Sequence, residues 1–157
     1  MTAEHPQPPR KWRRRRRRSP VGASPGFLQP DPEARPAPVR VMAFGPERVL
    51  EEELGEVARL DELLREHAVV WVDVHGSGDV AQLERLGKVF GLHRLALEDV
   101  VNTHQRAKVE DYGGHEFVVL RMLDAEHPFE TEQFALFLGP GFVLTFQERP
   151  GDCFGMV

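Results

Sequence analysis

Residues 95–120 read LALEDVVNTHQRAKVEDYGGHEFVVL, and the pattern changes in the middle of the stretch. Its first part is predicted as a short helix over about 94–101, carrying the adjacent acids Glu98 and Asp99. From Ala107 onward AKVEDY and EFVVLRML flank Gly113-Gly114, a two-residue hairpin signal. Further on, EQFALFL and FVLTFQE flank Gly139-Pro140-Gly141, which extends the hairpin into an antiparallel meander.

Upstream, VRVMAF (39–44) alternates weakly and is expected to be a strand, while RVLEEEL (48–54) is ambiguous between strand and helix. EVARLDELLREH puts Val57, Leu60, Leu63 and Leu64 on one helical face. AVVWVDV (68–74) is a nearly continuous apolar run rich in β-branched residues, the mark of a buried strand. Asp79 is placed to cap a helix running to about Phe90, with Val80, Leu83, Leu86, Val89 and Phe90 as its stripe and Gly91 as its stop. Together these elements predict an α/β fold, with a mixed, mostly antiparallel sheet flanked by helices.

FVVL, FALFL and FVLTF are apolar at consecutive positions, so both faces of these strands call for burial. The upstream helices suffice for one face only. After Pro150 seven residues remain, and GDCFGMV reads as the first turn of a helix. The expectation is a piece of a longer protein, with one sheet face uncovered by truncation.

The chain has 157 residues and a net charge of −5, unevenly spread. Residues 1–18 hold eight basic residues and one acid, whereas the rest hold twelve basic and 24 acidic residues. The acidic remainder argues against a domain that grips phosphates, so no specific nucleic acid is expected as partner. Arg13, Arg14, Arg15, Arg16, Arg17 and Arg18, next to Trp12, read as a solvated tail or as a contact for anionic lipid or nucleic acid. Residues 19–38 contain six prolines, so residues 1–38 are expected to be a disordered basic and Pro-rich tail, with the folded domain spanning 39–157. The single cysteine, Cys153, excludes an intrachain disulfide. No apolar run is long enough to span a membrane.

Motifs for catalysis are weak. GSGDVA (76–81) has the outline of a dinucleotide fingerprint, but Asp79 would set negative charge where a pyrophosphate must sit, and Glu98 falls on a helix rather than at the end of a strand. The seven histidines have no zinc-ligand spacing, and Ser77 lacks a nucleophile elbow. Glu98 and Asp99 diverge by about 100° on a helix, so they do not converge on one small substrate. A solvated helix face and half of a divalent-cation site both remain open, since Mg²⁺ needs only one or two carboxylates and keeps several waters. No enzyme is expected.

The block HRLALEDVVNTHQRAKVEDY, with WVDVHG before it and EQFALFLGPGFVLTFQE and GDCF after it, resembles the cytosolic N-terminal domain of the CorA magnesium-transporter family from about Val69 to Phe154. SPVGASPGF is similar to the entry segment of such proteins. The resemblance implies an α/β/α cytosolic domain, a long stalk helix, two membrane helices and a homo-pentamer on the cytoplasmic side of the bacterial cell membrane. It also implies that Asp99 chiefly, with Glu98, forms half of an inter-subunit regulatory site for Mg²⁺, completed by a stalk acid of the neighbour, with Mg²⁺ also the transported ion. QRAK replaces the usual Q-R-P-K, and the stalk, both membrane helices and the G-M-N signature are absent from the 157 residues, so this chain is not expected to transport alone. The alternatives are a Zn²⁺ or Co²⁺/Ni²⁺ transporter of the same superfamily, or a basic-tailed protein that binds nucleic acid or anionic membrane.

If the arginine tail acts by electrostatics, binding of the chain to anionic vesicles will fall steeply between about 50 and 200 mM salt and will vanish on deletion of residues 10–18. A vesicle co-sedimentation assay checks this; equal binding by the tailless chain excludes a tail-driven contact.

Overall fold

The structure is a computed structural model and describes residues 22–29, 37–46, 48–77, 79–123 and 131–148. Its elements are β1 (Val39–Phe44), β2 (Val49–Glu53), α1 (Arg59–Glu66), β3 (Val69–His75), α2 (Val80–Phe90), α3 (Arg94–Val101), β4 (Lys108–Asp111), β5 (Glu116–Leu123), β6 (Thr131–Gly139) and β7 (Phe142–Gln147). The seven strands form one sheet in the order β2-β1-β3-β7-β6-β5-β4. Only β3 and β7 pair parallel; the other neighbours are antiparallel. The mixed, mostly antiparallel α/β fold is the one expected.

The ambiguous VLEEE segment is a strand, because β1 offers it an edge: Val41 pairs with Glu52 and Ala43 with Leu50. The two turns fall where the glycines put them. Tyr112 N–H donates to the His115 carbonyl across Gly113-Gly114, with Gly113 at φ 76°, and Gly141 takes φ 79° in the β6–β7 turn. Both glycines adopt the left-handed backbone that side chains resist.

Strand register sorts the side chains. Val41, Val72 and Leu144 are neighbours in one row, as are Phe117 and Phe137 across β5 and β6. These residues join Leu60 and Leu63 of α1, Leu83, Leu86 and Phe90 of α2, and Ala96, Leu97, Val100 and Val101 of α3 in one core. All three described helices therefore cover the same face. At that face Phe117 stacks on Phe137 with ring centres 4.6 Å apart, and Phe137 meets Phe146 edge-on.

The opposite face, which no described helix covers, mixes the expected apolar residues with polar ones. Phe44, Val49, Val69, Leu120 and Leu138 are exposed there, but Glu132, Thr145 and Gln147 are buried. Its centre is polar. Trp71 Nε1 donates to Thr145 Oγ1 (3.0 Å), Thr145 Oγ1 donates to Asp73 Oδ1 (2.6 Å), and His75 Nε2 lies 2.6 Å from Asp73 Oδ2. Consecutive apolar residues on β6 and β7 had pointed to an apolar second face; the hydrogen-bonding residues interleaved with them occupy its middle.

Helix α2 begins and ends as predicted. Asp79 Oδ1 accepts from Gln82 N–H, and Gly91 takes the left-handed conformation at the C-terminus. Its buried stripe is shifted: Gln82 and Gly87 are buried. Gln82 is satisfied by the Ala37 backbone, with Nε2 donating to the Ala37 carbonyl (2.9 Å) and Oε1 accepting from the Ala37 N–H. Residues 22–29, upstream of the domain start expected at Val39, also pack onto the domain. Leu28 lies in the core, and Arg94 Nε donates to the Gly26 carbonyl at 2.9 Å. The arginines at 13–18, Cys153 and the 150–157 segment lie outside the described residues.

Gly87 is where α2 and α3 approach most closely, since a Cβ there would stand 2.6 Å from Leu97 Cδ1. Leu97 is buried and has little room to turn away. Gly87→Val is expected to lower stability by about 1–3 kcal/mol through overpacking. Urea unfolding followed by circular dichroism checks it, and an unchanged midpoint would show that Leu97 yields freely.

Candidate metal half-site on helix α3

Helix α3 has eight residues, and its N-cap is His93, whose Nδ1 accepts from Leu95 N–H at 3.2 Å. Ala96, Leu97, Val100 and Val101 bind the helix to the core, which turns the intervening pair Glu98-Asp99 outward. The two acids diverge, as the helical angle requires, and neither is merely solvated. Glu98 Oε2 accepts from the Gly26 N–H at 2.7 Å, which ties the helix to segment 22–29. Asp99 Oδ2 accepts from Lys108 Nζ at 2.6 Å, which ties it to β4. The same ammonium reaches Glu110 Oε1 at 2.9 Å and lies over the Phe117 ring.

Burial alone would lower the Lys108 pKa, but the hydrogen bonds to Asp99 and Glu110 outweigh it and hold the ammonium above its ordinary value. The bond from Lys108 holds Glu110 below the usual carboxylate range against a smaller opposing effect of burial, and Tyr112 Oη, donating at 3.1 Å, adds to it.

Gln133 supplies a support that sequence reading missed. Its Nε2 donates to the Asp99 carbonyl (2.8 Å) and its Oε1 accepts from Gln105 N–H (3.0 Å), so a buried β6 side chain holds the end of α3 and the loop after it. Alternation along EQFALFL does place Gln133 on the same face as Ala135 and Phe137; that signal was available. Asn102, one turn after Glu98, has a buried Oδ1 with no hydrogen-bond partner.

Among the described residues, no three of His, Cys, Asp and Glu converge to hold a metal. The α3 carboxylates are hard oxygen donors of the kind Mg²⁺ takes, and the orphaned Asn102 carbonyl oxygen is another. The donor chemistry therefore fits a divalent cation, as a half-site.

The other candidates take ordinary places. Asp79 caps its own helix and Glu98 lies on a helix rather than at a strand end, so the dinucleotide reading of GSGDVA is not supported. Among the histidines, His67 Nδ1 lies 3.2 Å from the Leu63 carbonyl, His75 pairs with Asp73, and His93 and His115 each stack on Tyr112. His5 and His127 lie outside the described residues.

An α/β domain whose helix-borne carboxylates sit beside a mixed seven-stranded sheet has close counterparts. Residues 66–156 match the family described as CorA-like Mg²⁺ transporter protein, and the chain belongs to that family. The cobalt/magnesium transport protein CorA of Thermotoga maritima is 41% identical over 90 residues, 55% of this chain and 26% of that protein. The match thus spans about a quarter of that relative's length. Two solved structures share the fold. The soluble domain of CorA from Methanocaldococcus jannaschii aligns with a TM-score of 0.50 and 17% identity over 69% of this chain and 39% of that one. The full-length CmaX protein aligns with a TM-score of 0.58 and 20% identity over 76% of this chain and 37% of that one. No helix among the described residues is long and apolar enough to cross a membrane.

The His93–Tyr112–His115 stack holds the N-terminus of α3 against the β4–β5 turn. Burial, and then the nearby His93, keep the His115 imidazole below its ordinary value of 6.5, with Asp111 partly offsetting them. The unfolded chain therefore takes up this proton first. Stability from His115 is complete above pH 6.5 and is lost as the pH falls from there through the folded value. Thermal unfolding between pH 7.5 and 5 is expected to show a shallower decline for His115→Phe than for the wild type; parallel curves would remove His115 from the account.

Proposed function

We propose that this chain is the metal-sensing regulatory domain of a CorA-type divalent-cation transporter, and that Asp99, assisted by Glu98, is its half of a site shared with a neighbouring subunit. The observation that carries the reading is the position of the acid pair, inside the family match and turned outward by the buried face of α3. Mg²⁺ is the favoured regulatory ion, because the side chains offered on α3 are oxygen donors without thiolate or imidazole; Mg²⁺ as the transported ion is supported by the family match. Zn²⁺ or Co²⁺/Ni²⁺ transport is the nearest alternative.

The domain is taken to begin near Val39, with segment 22–29 packed on it through Leu28 and the Gly26–Arg94 hydrogen bond. The pore, the membrane passage and the pentameric assembly belong to the complete transporter, on the cytoplasmic side of whose membrane this domain sits. The function is binding and coupling rather than catalysis.

In the assembly, Asp99 faces a carboxylate of the next subunit. Two such charges about 4 Å apart repel by ~1 kcal/mol in water and ~4 kcal/mol at an effective dielectric near 20. The bound divalent cation supplies the positive charge that turns this repulsion into attraction. Asp99 then holds neighbouring domains together through the cation, and loss of the cation removes that link, which biases the gate open. Glu98 is assigned the smaller part because the donor on its Oε2 is a fixed backbone amide, Gly26 N–H, rather than a side-chain cation that a metal can replace.

In the complete transporter, Asp99→Asn is expected to raise the Mg²⁺ concentration needed for protease protection and for closure of the current, with Glu98→Gln having a smaller effect. Limited proteolysis and electrophysiology on the two proteins side by side measure this. Identical Mg²⁺ responses of wild type and Asp99→Asn would reject the sensor role.

A further inference from the structure

The carboxylate assigned to metal sensing already holds a cation. Lys108 Nζ sits within hydrogen-bond reach of Asp99 Oδ2 (2.6 Å) and Glu110 Oε1 (2.9 Å), on elements joined only by the 102–107 loop. The arrangement is built rather than incidental. Tyr112 Oη orients Glu110, Gln133 anchors the backbone of Asp99, and the ammonium lies 5.6 Å from the centre of the Phe117 ring. The side chains of Lys108 and Asp99 are only 27% and 21% exposed.

We propose that Lys108 is a tethered competitor for the divalent cation at Asp99, so that its ammonium sets the metal concentration at which the site fills. This rests on the reading of Asp99 as a metal ligand and adds the residue that tunes it. A lysine ammonium is a compact point charge with three donors, and here it bridges both carboxylates and offsets one of their two charges. Its tether gives it a high local concentration that free metal must overcome. The metal gains Asp99 only when Lys108 gives up Oδ2 or shares the carboxylate, with Glu110 as the acid that retains it. Asp99 is thus silent at low metal and becomes available as the metal concentration rises, without a conformational change of α3.

The test uses the complete transporter, in which the neighbouring subunit completes the site, and Mn²⁺ as probe, titrated by electron paramagnetic resonance. Lys108→Met keeps the apolar stem over Phe117 and removes the charge. It is expected to bind Mn²⁺ at least about tenfold more tightly than the wild type, the scale of a partly exposed ion pair lost together with a repelling charge. Lys108→Arg should stay at the wild-type level, and Asp99→Asn with Lys108→Met should lose the gain. Lys108→Gln repeats the comparison if the methionine variant does not fold. No gain in the charge-removing variant, or a gain that persists without Asp99, would overturn the proposal. In the complete transporter Lys108→Met should lower the Mg²⁺ concentration for protease protection, opposite to Asp99→Asn. A transporter indifferent to Asp99→Asn would reject the sensor reading alone, while the Mn²⁺ titration decides Lys108 by itself.

Discussion

The parallel pairing of β3 with β7 joins two antiparallel halves, β2-β1-β3 and β7-β6-β5-β4, into one sheet. A parallel neighbour cannot be reached by a tight turn, so the chain must leave the sheet after β3 and return before β7. It uses that excursion for α2, α3 and the β4–β6 meander. Helix α3 is therefore held between the crossover and the far edge of the sheet, with Asp99 beside β4. Val72 against Leu144 and Val74 against Phe146 are the contacts that make the seam apolar enough to hold.

From this seam the organisation of α3 follows. Four apolar side chains tie the helix to the sheet, and the two acids between them point in different directions. One meets the backbone of segment 22–29 and the other an ammonium on β4. A charged residue turned out from a core still seeks a partner, because a partly buried carboxylate without one is costly. The carboxylates of α3 thus serve the fold at the same time as they carry the proposed cation site. This dual use accounts for the difference between Asp99, whose partner is itself an exchangeable cation, and Glu98, whose partner is a backbone amide.

Much of the fold was legible because the local signals agreed with one another. The Gly113-Gly114 and Gly139-Pro140-Gly141 turns, the Asp79 cap, the Gly91 stop and the apolar run of β3 each carry a mechanism that acts within a few residues. VLEEE was ambiguous because its preference is weak; the edge of β1 decided it. The stripe of α2 was misplaced at Gln82 and Gly87, since a glutamine is buried there for the sake of the Ala37 backbone and a glycine for the sake of Leu97.

The candidate site divides in the same way. By itself the sequence determined the family block, the helix that bears Glu98 and Asp99 and the angle between them, because helix geometry and motif spacing are properties of neighbours along the chain. It did not determine what those acids touch. Gly26 lies 72 residues from Glu98, Gln133 lies 34 from Asp99, and the polar centre of the second face joins β3 to β7 across more than seventy positions. Even Lys108, nine residues from Asp99, comes within reach only because the loop after α3 folds back to place β4 beside the helix. Contacts of that kind arise from the closing of the sheet, and only the tertiary structure decided them.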